Sequence, residues 1–193
     1  MTVLRSLAKC VGALVVVLIG IALVARLSDG PIGPFAGGTL LGGVLVPDST
    51  VDWSFARDID TVEFQLLDPA RSRTVWILVR DGELYIPCQV PEFRLWKQWP
   101  HEALEDGRAV IRVDGKRYPV RAVRVTDPKL LEQVGTVMGE KYLDGSVPET
   151  GSVWVFRMDP RTGRDGAEGA SRSVEPARAR YSPMRPKLGG RRS

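Results

Sequence analysis

Residues 74–88, TVWILVRDGELYIPC, decide the fold of this chain. They contain two apolar, strand-prone runs separated by Asp81-Gly82. An Asp-Gly pair between two such runs predicts a β-hairpin, because the residues of the tight turn need positive φ. The same arrangement recurs at Asp114-Gly115, which separates residues 108–113 from residues 116–125. The sequence therefore predicts two antiparallel hairpins.

Two further strands are expected outside these hairpins. Residues 62–66 alternate between apolar and polar side chains, which is typical of a half-buried strand, and residues 152–158 indicate a last strand. The apolar face of the second hairpin switches at Ala122-Val123, so we expect a β-bulge there. Six strands in all favour a closed barrel, because closure removes exposed strand edges.

Two helices are expected to interrupt the strands. Asp127-Pro128 predicts an N-cap and first helical residue, followed by apolar residues at helical spacing through Gly139. A shorter amphipathic helix, broken at Pro100, is expected within residues 93–105. The predicted domain, residues 57–160, is therefore mainly β with two helices.

The N-terminal residues predict a membrane anchor. Residues 10–25 are all apolar or glycine, and with their apolar neighbours they approach the roughly 20 residues that span a bilayer. We expect a transmembrane helix over residues 10–27 after a short N-terminus, residues 1–9. A cleaved signal peptide is the alternative. A cut after Ala25 would require a small residue at the third position from the cut end. The sequence has the bulky Leu23 there, which argues against a cleaved signal peptide.

Charges beside the anchor predict its orientation. Arg5, Lys9 and the amino terminus precede the apolar run, and Arg26 follows it. Because positive charge favours the cytoplasmic side, the N-terminus is expected in the cytoplasm. The sequence thus predicts a single-pass protein of the cytoplasmic (inner) membrane with its C-terminal domain outside.

The basic charge of the chain lies at its ends. Residues 31–160 carry 15 Lys and Arg against 19 Asp and Glu, which argues against a nucleic-acid partner. Residues 161–193 are rich in Arg, Gly, Ser and Pro and are expected to be a disordered basic tail. This tail is expected either to contact anionic lipid or an envelope polymer, or to be solvated without a partner.

The segment between anchor and domain is unusually rich in glycine and proline. We expect residues 28–56 to form a linker that lies on the domain. Gly37, Gly38, Gly42 and Gly43 do not form a G-x-G-x-x-G pattern and no Lys-Ser/Thr pair follows them, so they are interpreted as turn residues.

The few Cys and His residues argue against several classes of site. Cys10 falls in the anchor and Cys88 in the domain, so no disulfide framework is expected. A single histidine, His101, argues against a catalytic metal site. Cys88 is interpreted as a small buried residue, and His101 as a surface residue, with a haem ligand as the alternative.

Several motifs resemble one known superfamily. They are RTVWILVRDGELYI at residues 73–86, LWKQ at 95–98, VDGKRY at 113–118, RAVRV at 121–125 and Lys141-Tyr142. Together with the order of hairpins and helices, from about Asp60 to Met158, they resemble the split-barrel superfamily. This superfamily includes the pyridoxamine-phosphate-oxidase-like and deazaflavin-dependent reductase-like proteins.

The resemblance implies a six-stranded antiparallel split β-barrel that binds FMN or a deazaflavin, commonly in a homodimer cleft, and transfers a hydride or two electrons. Arg73, with Arg71, is implied to bind the cofactor phosphate, since a guanidinium donates two parallel hydrogen bonds to it. The resemblance assigns no catalytic residue. Its implied cofactor-binding residues are Arg71, Arg73, Thr74, Trp76, Cys88, Trp96 and Lys97.

A second hypothesis dispenses with the cofactor. The glycine-rich Gly-Arg-x-Ser-Gly loop of the deazaflavin branch is replaced here by PARSR at residues 69–73. The same barrel is then expected to be an envelope binding or interaction module, with a groove lined by Trp76, Trp96 and Trp99. The sequence leaves open whether the protein is an enzyme.

Overall fold

The structure is a computed structural model that describes residues 2–47, 50–92, 97–148 and 152–161. Apart from Arg161, the basic tail predicted at residues 161–193 lies outside the described residues. The described residues form eight strands, three α-helices and one 3-10 helix. In chain order these are α1 (Thr2–Leu27), β1 (Val44–Leu45), the 3-10 helix (Trp53–Ala56), β2 (Thr61–Leu67), β3 (Ala70–Trp76), β4 (Leu78–Arg80), β5 (Glu83–Gln89), α2 (Trp99–Glu105), β6 (Arg108–Val113), β7 (Lys116–Arg124), α3 (Pro128–Tyr142) and β8 (Val153–Pro160).

The strands form one sheet in the order β3-β2-β6-β7-β8-β5-β4, and every neighbouring pair in this order is antiparallel. The short β1 adds to β7 as a parallel strand. Both predicted Asp-Gly turns are confirmed. Asp81 and Gly82 have φ of 52° and 78°, and Asp114 and Gly115 have φ of 49° and 69°.

The prediction of six strands closed into a barrel requires correction. The apolar run at residues 74–80 is not one strand but divides at Ile77, because β3 pairs with β2 whereas β4 pairs with β5. These are the two end strands of the sheet, so a single residue connects its two edges. Within the described residues no ladder joins β3 to β5, and the barrel is therefore not closed by hydrogen bonds.

The β-bulge predicted at Ala122-Val123 is wrong. β7 pairs with β8 in one unbroken register through both residues. The buried side chains of β7 and the residue after it switch from one face of the sheet to the other because both faces are covered by hydrophobic clusters. Val125, just after β7, is buried in one cluster with Val134 of α3.

Both predicted helices are present, with one correction. Asp127 caps α3, since its side chain accepts hydrogen bonds from the backbone N–H groups of Lys129 and Leu130 at 2.8 and 3.1 Å. Pro100 does not break the shorter helix, because it lies in the first turn of α2, where its missing N–H has no intrahelical acceptor to lose.

Two hydrophobic clusters lie on opposite faces of the sheet. The larger contains Phe64 of β2, Ile111 of β6 and Phe156 of β8, all fully buried. The smaller lies between the sheet and α3, where Leu78 and Tyr85 pack in a cluster that includes residues of that helix. The sheet is therefore the central layer of the domain.

Residues 28–47, hereafter the strap, contact the sheet from β3 and β2 to the start of β7. Gly37 pairs with Ser72 of β3, and the N–H of Leu40 donates to Oε1 of buried Gln65 at 2.6 Å. A Cβ on Gly37 would lie 2.0 Å from the carbonyl oxygen of Gly30, so this position requires glycine. Glycine is needed here for a close approach between two backbone segments, in a residue that is bridged to β3 rather than placed in a turn.

The N-terminal helix is exposed along most of its length. Its residues Arg5–Leu27 are long and apolar enough to cross a membrane by length and composition. The helix ends where the Ser28 hydroxyl donates to the carbonyl oxygen of Ala25 at 2.6 Å. Ser28 also accepts a backbone hydrogen bond from Gly38, so the helix leads directly into the strap.

Candidate functional site

The separation of β3 from β5 opens a cleft in the domain. The β4–β5 register ends with Leu78 opposite Tyr85. The residues before Ile77 pair with β2 instead, so β3 and the later residues of β5 are not paired with each other. A cavity of about 520 Å³ lies between these two strand edges.

Four elements form the walls of this cleft. β3 and β5 form two sides, the start of α2 forms a third, and the strap contributes residues 31 and 33–36. Six of the seven cofactor residues implied by the resemblance lie together here, and the seventh, Trp96, lies outside the described residues. The six are Arg71, Arg73, Thr74, Trp76, Cys88 and Lys97.

Arg73 is the most unusual polar side chain in the cleft. Its side chain is only 19% exposed, and its Nη2 lies 3.8 Å from Oε2 of Glu102, too long for a hydrogen bond. Its Nε is buried and donates to no acceptor within the described residues. Burial lowers the pKa of Arg73 to about 10, against the opposing attraction of Glu102. The guanidinium is thus protonated at neutral pH but incompletely hydrogen-bonded.

Positive charge exceeds negative charge among the cleft residues. Arg71 lies on the same strand face as Arg73, two residues away, and Lys97 lies two residues before α2. Glu102 is the acidic residue among the residues that line the described part of the cleft. This excess of cations suits an anionic group such as a phosphate.

An aromatic pair lies at the edge of the cleft. The ring of Trp76, which is 46% exposed, stacks on Tyr142 of α3 at a centroid distance of 5.2 Å and an interplanar angle of 16°. The Tyr142 hydroxyl lies 2.8 Å from the carbonyl oxygen of Ile77, to which it donates. Burial raises the pKa of Tyr142 to about 12, so it remains a donor at neutral pH. Trp76 thus offers a flat, well-supported apolar surface.

Cys88 contributes a buried thiol to the opposite wall. Its side chain is 2% exposed, and burial raises its pKa, so the thiol is protonated at neutral pH. Its Sγ donates a weak hydrogen bond to the carbonyl oxygen of Gln89 at 3.7 Å. A protonated, buried thiol packs as a small apolar group rather than acting as a nucleophile.

Two other residues differ from their predicted surroundings. Trp99 lines the cleft but is 6% exposed, because its ring packs against Phe64 and Phe156. His101 is half-buried rather than on the open surface, with Nε2 2.9 Å from the carbonyl oxygen of Pro91. Within the described part of the chain, no group of three His, Cys, Asp or Glu residues is placed to hold a metal ion.

Sequence reasoning missed part of the cleft. Glu102 on α2 and Phe35 in the strap each come from an element distant in sequence from β3. Tyr142 is part of a motif of the resemblance, which did not predict its stacking on Trp76. The glycine and proline content of the strap predicted that it would lie on the domain. No local signal specified which strand edge it would reach.

No family model matches the chain, and no curated protein matches it. Solved structures do resemble its fold. The conserved hypothetical protein Rv2991 from Mycobacterium tuberculosis matches with a TM-score of 0.43 and 19% identity over 55% of this chain and 76% of that one.

Two further solved structures match. A candidate pyridoxamine 5'-phosphate oxidase from Listeria innocua has a TM-score of 0.40 and 12% identity, over 53% of this chain and 85% of that chain. A candidate general stress protein 26 from Jannaschia sp. CCS1 has a TM-score of 0.41 and 14% identity, over 63% and 85%. The Listeria protein bears the name of the group that the sequence motifs resemble.

Proposed function

We propose that this protein is a membrane-anchored split-barrel protein that binds FMN or a deazaflavin in the cleft between β3 and β5. The observation that carries the proposal is the incompletely hydrogen-bonded guanidinium of Arg73 in a cationic cleft. A cavity of about 520 Å³ also falls within the usual range for small-molecule sites. The proposal includes a homodimer, as the resemblance implies.

The residues of the cleft have separable roles in this proposal. Arg73, Arg71 and Lys97 bind the phosphate, with the Arg73 Nε as the buried donor that the ligand satisfies. Trp76 supplies an apolar surface for a planar ring, since aromatic pairs favour offset stacking. A bound flavin supplies two-electron redox chemistry, so the enzymatic form of the proposal is an oxidoreductase.

A second candidate function is a cofactor-free binding module of the cell envelope. Glu102 favours it, because its carboxylate lies 3.8 Å from Arg73 and offsets part of the charge that a phosphate needs. In this case the Arg73–Glu102 pair is a structural part of the cleft, and an uncharged or zwitterionic partner occupies it.

Binding to a matched pair of ligands distinguishes the two functions. The full chain, purified in detergent, is first examined for visible absorbance and then titrated with FMN and with riboflavin, which lacks the phosphate. A deazaflavin and haem complete the set. FMN is expected to bind more tightly than riboflavin, because only FMN presents a phosphate to Arg73.

Arg73→Ala is expected to weaken FMN binding by roughly 10- to 100-fold and to leave riboflavin binding almost unchanged, since a charged hydrogen bond contributes about 1.5–3 kcal/mol. Arg80→Ala is the control, because Arg80 is a strand arginine of similar exposure, 28%, that pairs with Asp81 outside the cleft. If none of the four ligands binds, the cofactor proposal fails and the binding module is favoured.

The orientation of the anchor is also part of the proposal. The domain is expected on the extracytoplasmic side, because Arg5 and Lys9 precede the apolar helix and only Arg26 follows it closely. A C-terminal alkaline phosphatase fusion is therefore expected to be active, and a C-terminal green fluorescent protein fusion to be dark. The reverse pattern would place the domain in the cytoplasm.

A further inference from the structure

We propose that the strap gives this protein a second contact with the membrane. In this proposal Leu41, Val44 and Leu45 enter the headgroup region of the same leaflet from which α1 emerges. The occupant of this apolar surface is thus the bilayer itself. The inference rests on the proposed membrane anchoring by α1 and is independent of the ligand in the cleft.

The three strap side chains are strongly exposed. Leu41 and Val44 are each 69% exposed and Leu45 is 51% exposed, while Leu27 at the end of α1 is 91% exposed. β1 has two residues, and both side chains are exposed because the strand pairs with β7 on one side and no other element among the described residues covers it. Neighbouring exposed aliphatic residues of this kind mark an interaction surface.

Hydrogen bonds keep this surface beside the end of the membrane helix. The Asp29 carboxylate, two residues after α1, accepts from the N–H groups of Leu41 and Gly42 at 2.8 and 2.9 Å. With about 3.8 Å between consecutive Cα atoms, this places Leu41 within roughly 15 Å of Leu27. Arg112 of β6 donates to the same carboxylate at 2.8 Å, so the strap is attached to the sheet at this point.

The length of α1 indicates at which depth of the bilayer the strap residues lie. Its candidate span of 23 residues, Arg5–Leu27, extends over about 34 Å as a helix, slightly more than the roughly 30 Å of bilayer hydrocarbon, and its charged residues lie towards its two ends. Leu27 therefore lies at the boundary between hydrocarbon and headgroups. The strap residues that Asp29 positions beside it lie at headgroup depth, where exposed aliphatic side chains gain by leaving water.

The charges around this surface suit anionic lipids. Lys116 is exposed and lies opposite Val44 in the β1–β7 ladder, and Arg26 is exposed in the last turn of α1. Arg117 donates to the carbonyl oxygens of Leu40 and Gly43, so its charge also lies beside the strap. Asp114, in the turn before Lys116, partly offsets them. Basic residues at this depth attract anionic headgroups.

Depth-dependent quenching tests the proposal on the full chain. A Cys10→Ser background leaves Cys88, which is buried, and single cysteines are placed at Val44, Leu45, Val17 and Val147 for labelling with an environment-sensitive fluorophore. The labelled chains are reconstituted into vesicles of phosphatidylcholine and phosphatidylglycerol. Some of the lipids carry a nitroxide either near the headgroup or deep in the acyl chain.

Labels at Val44 and Leu45 are expected to be quenched at least twofold more by headgroup nitroxides than the label at Val147, which is 55% exposed but distant in sequence from the strap. The Val17 label, within α1, is expected to be quenched by the deep nitroxide. If Val17 is quenched but Val44 and Leu45 match Val147, the strap contact is wrong and the anchor stands. If Val17 is not quenched, the anchor is wrong and the strap contact with it.

Discussion

A single side chain, Lys141, connects α3 to the region around Ile77, where the chain passes from β3 at one edge of the sheet to β4 at the other. Its Nζ donates to the carbonyl oxygens of Arg57 and Ile77 at 2.9 and 3.4 Å, and also to that of Ile59. Burial lowers the pKa of Lys141, although nearby Asp60 opposes this effect. The ammonium therefore satisfies carbonyl groups that strand pairing leaves without donors at this junction.

Replacing Lys141 by methionine is expected to reduce the free energy of unfolding by about 1–3 kcal/mol, because the half-buried carbonyl groups of Ile59 and Ile77 then lose a donor while the apolar stem is retained. Lys129→Met, on the exposed first turn of the same helix, is the control and is expected to change stability little. Urea unfolding followed by tryptophan fluorescence measures both. Equal stability of the two variants would contradict a structural role for the Lys141 ammonium.

At the scale of single residues, the sequence predicted a set of side chains but not their partners. Six of the residues implied by the resemblance line one cleft, because β3 and β5 belong to the same local stretch of chain. Glu102 reaches that cleft only through the packing of α2, and Tyr142 stacks on Trp76 only through the packing of α3. Local pattern contains no information on such contacts, since they depend on which face of the sheet each helix covers.

At the scale of elements, local chemistry predicted the hairpins and α3 well. Asp-Gly turns and an Asp-Pro helix start impose their conformations through φ and capping, independently of the rest of the chain. The division of residues 74–80 at Ile77 has no such signal. An apolar strand-prone run has the same composition whether it pairs with one neighbour or passes from one sheet edge to the other, so β3 and β4 were predicted as one strand.

The cap of α3 gives a prediction at this scale. Asp127→Ala is expected to lower stability by about 0.5–2 kcal/mol, because the N–H groups of Lys129 and Leu130 lose their acceptor. Asp127→Ser, which retains a capping oxygen, is the matched control and is expected to recover most of the loss. Thermal unfolding followed by circular dichroism measures the difference. Equal losses in both variants would show that the cap contributes nothing.

At the scale of the whole molecule, the strap links the membrane helix to the sheet through a few charged groups. Arg112 of β6 contacts both Asp29, in the strap, and Glu63 of β2. The glycine and proline content predicted a linker that lies on the domain. It did not predict this contact, because Asp29 and Arg112 are 83 residues apart. Such a pairing depends on the complete sheet order.

The contacts of Asp29 predict how the stability of the fold depends on pH. The pKa of Asp29 is lowered, chiefly by the hydrogen bond from the Leu41 backbone. Desolvation opposes this effect, and the hydrogen bonds from Gly42 and Arg112 add to it. A carboxyl group whose pKa is lower in the folded state stabilises the fold above its unfolded pKa of about 3.9. That stabilisation is lost as the pH falls through the folded value.

Asp29→Asn is therefore expected to lower the unfolding temperature at pH 6 and to flatten its decline between about pH 5 and pH 3, because the variant has no proton to take up at this position. Glu132→Gln, an exposed carboxyl group on α3, is the control and is expected to keep the wild-type profile. Asp106 also has a lowered pKa, through its hydrogen bond with Arg108, so some acid dependence remains in every variant. If Asp29→Asn and the wild type lose stability in parallel from pH 6 to pH 3, Asp29 does not connect the strap to the sheet in solution. The strap would then be held on the sheet by its other contacts, those with Ser72 and Gln65.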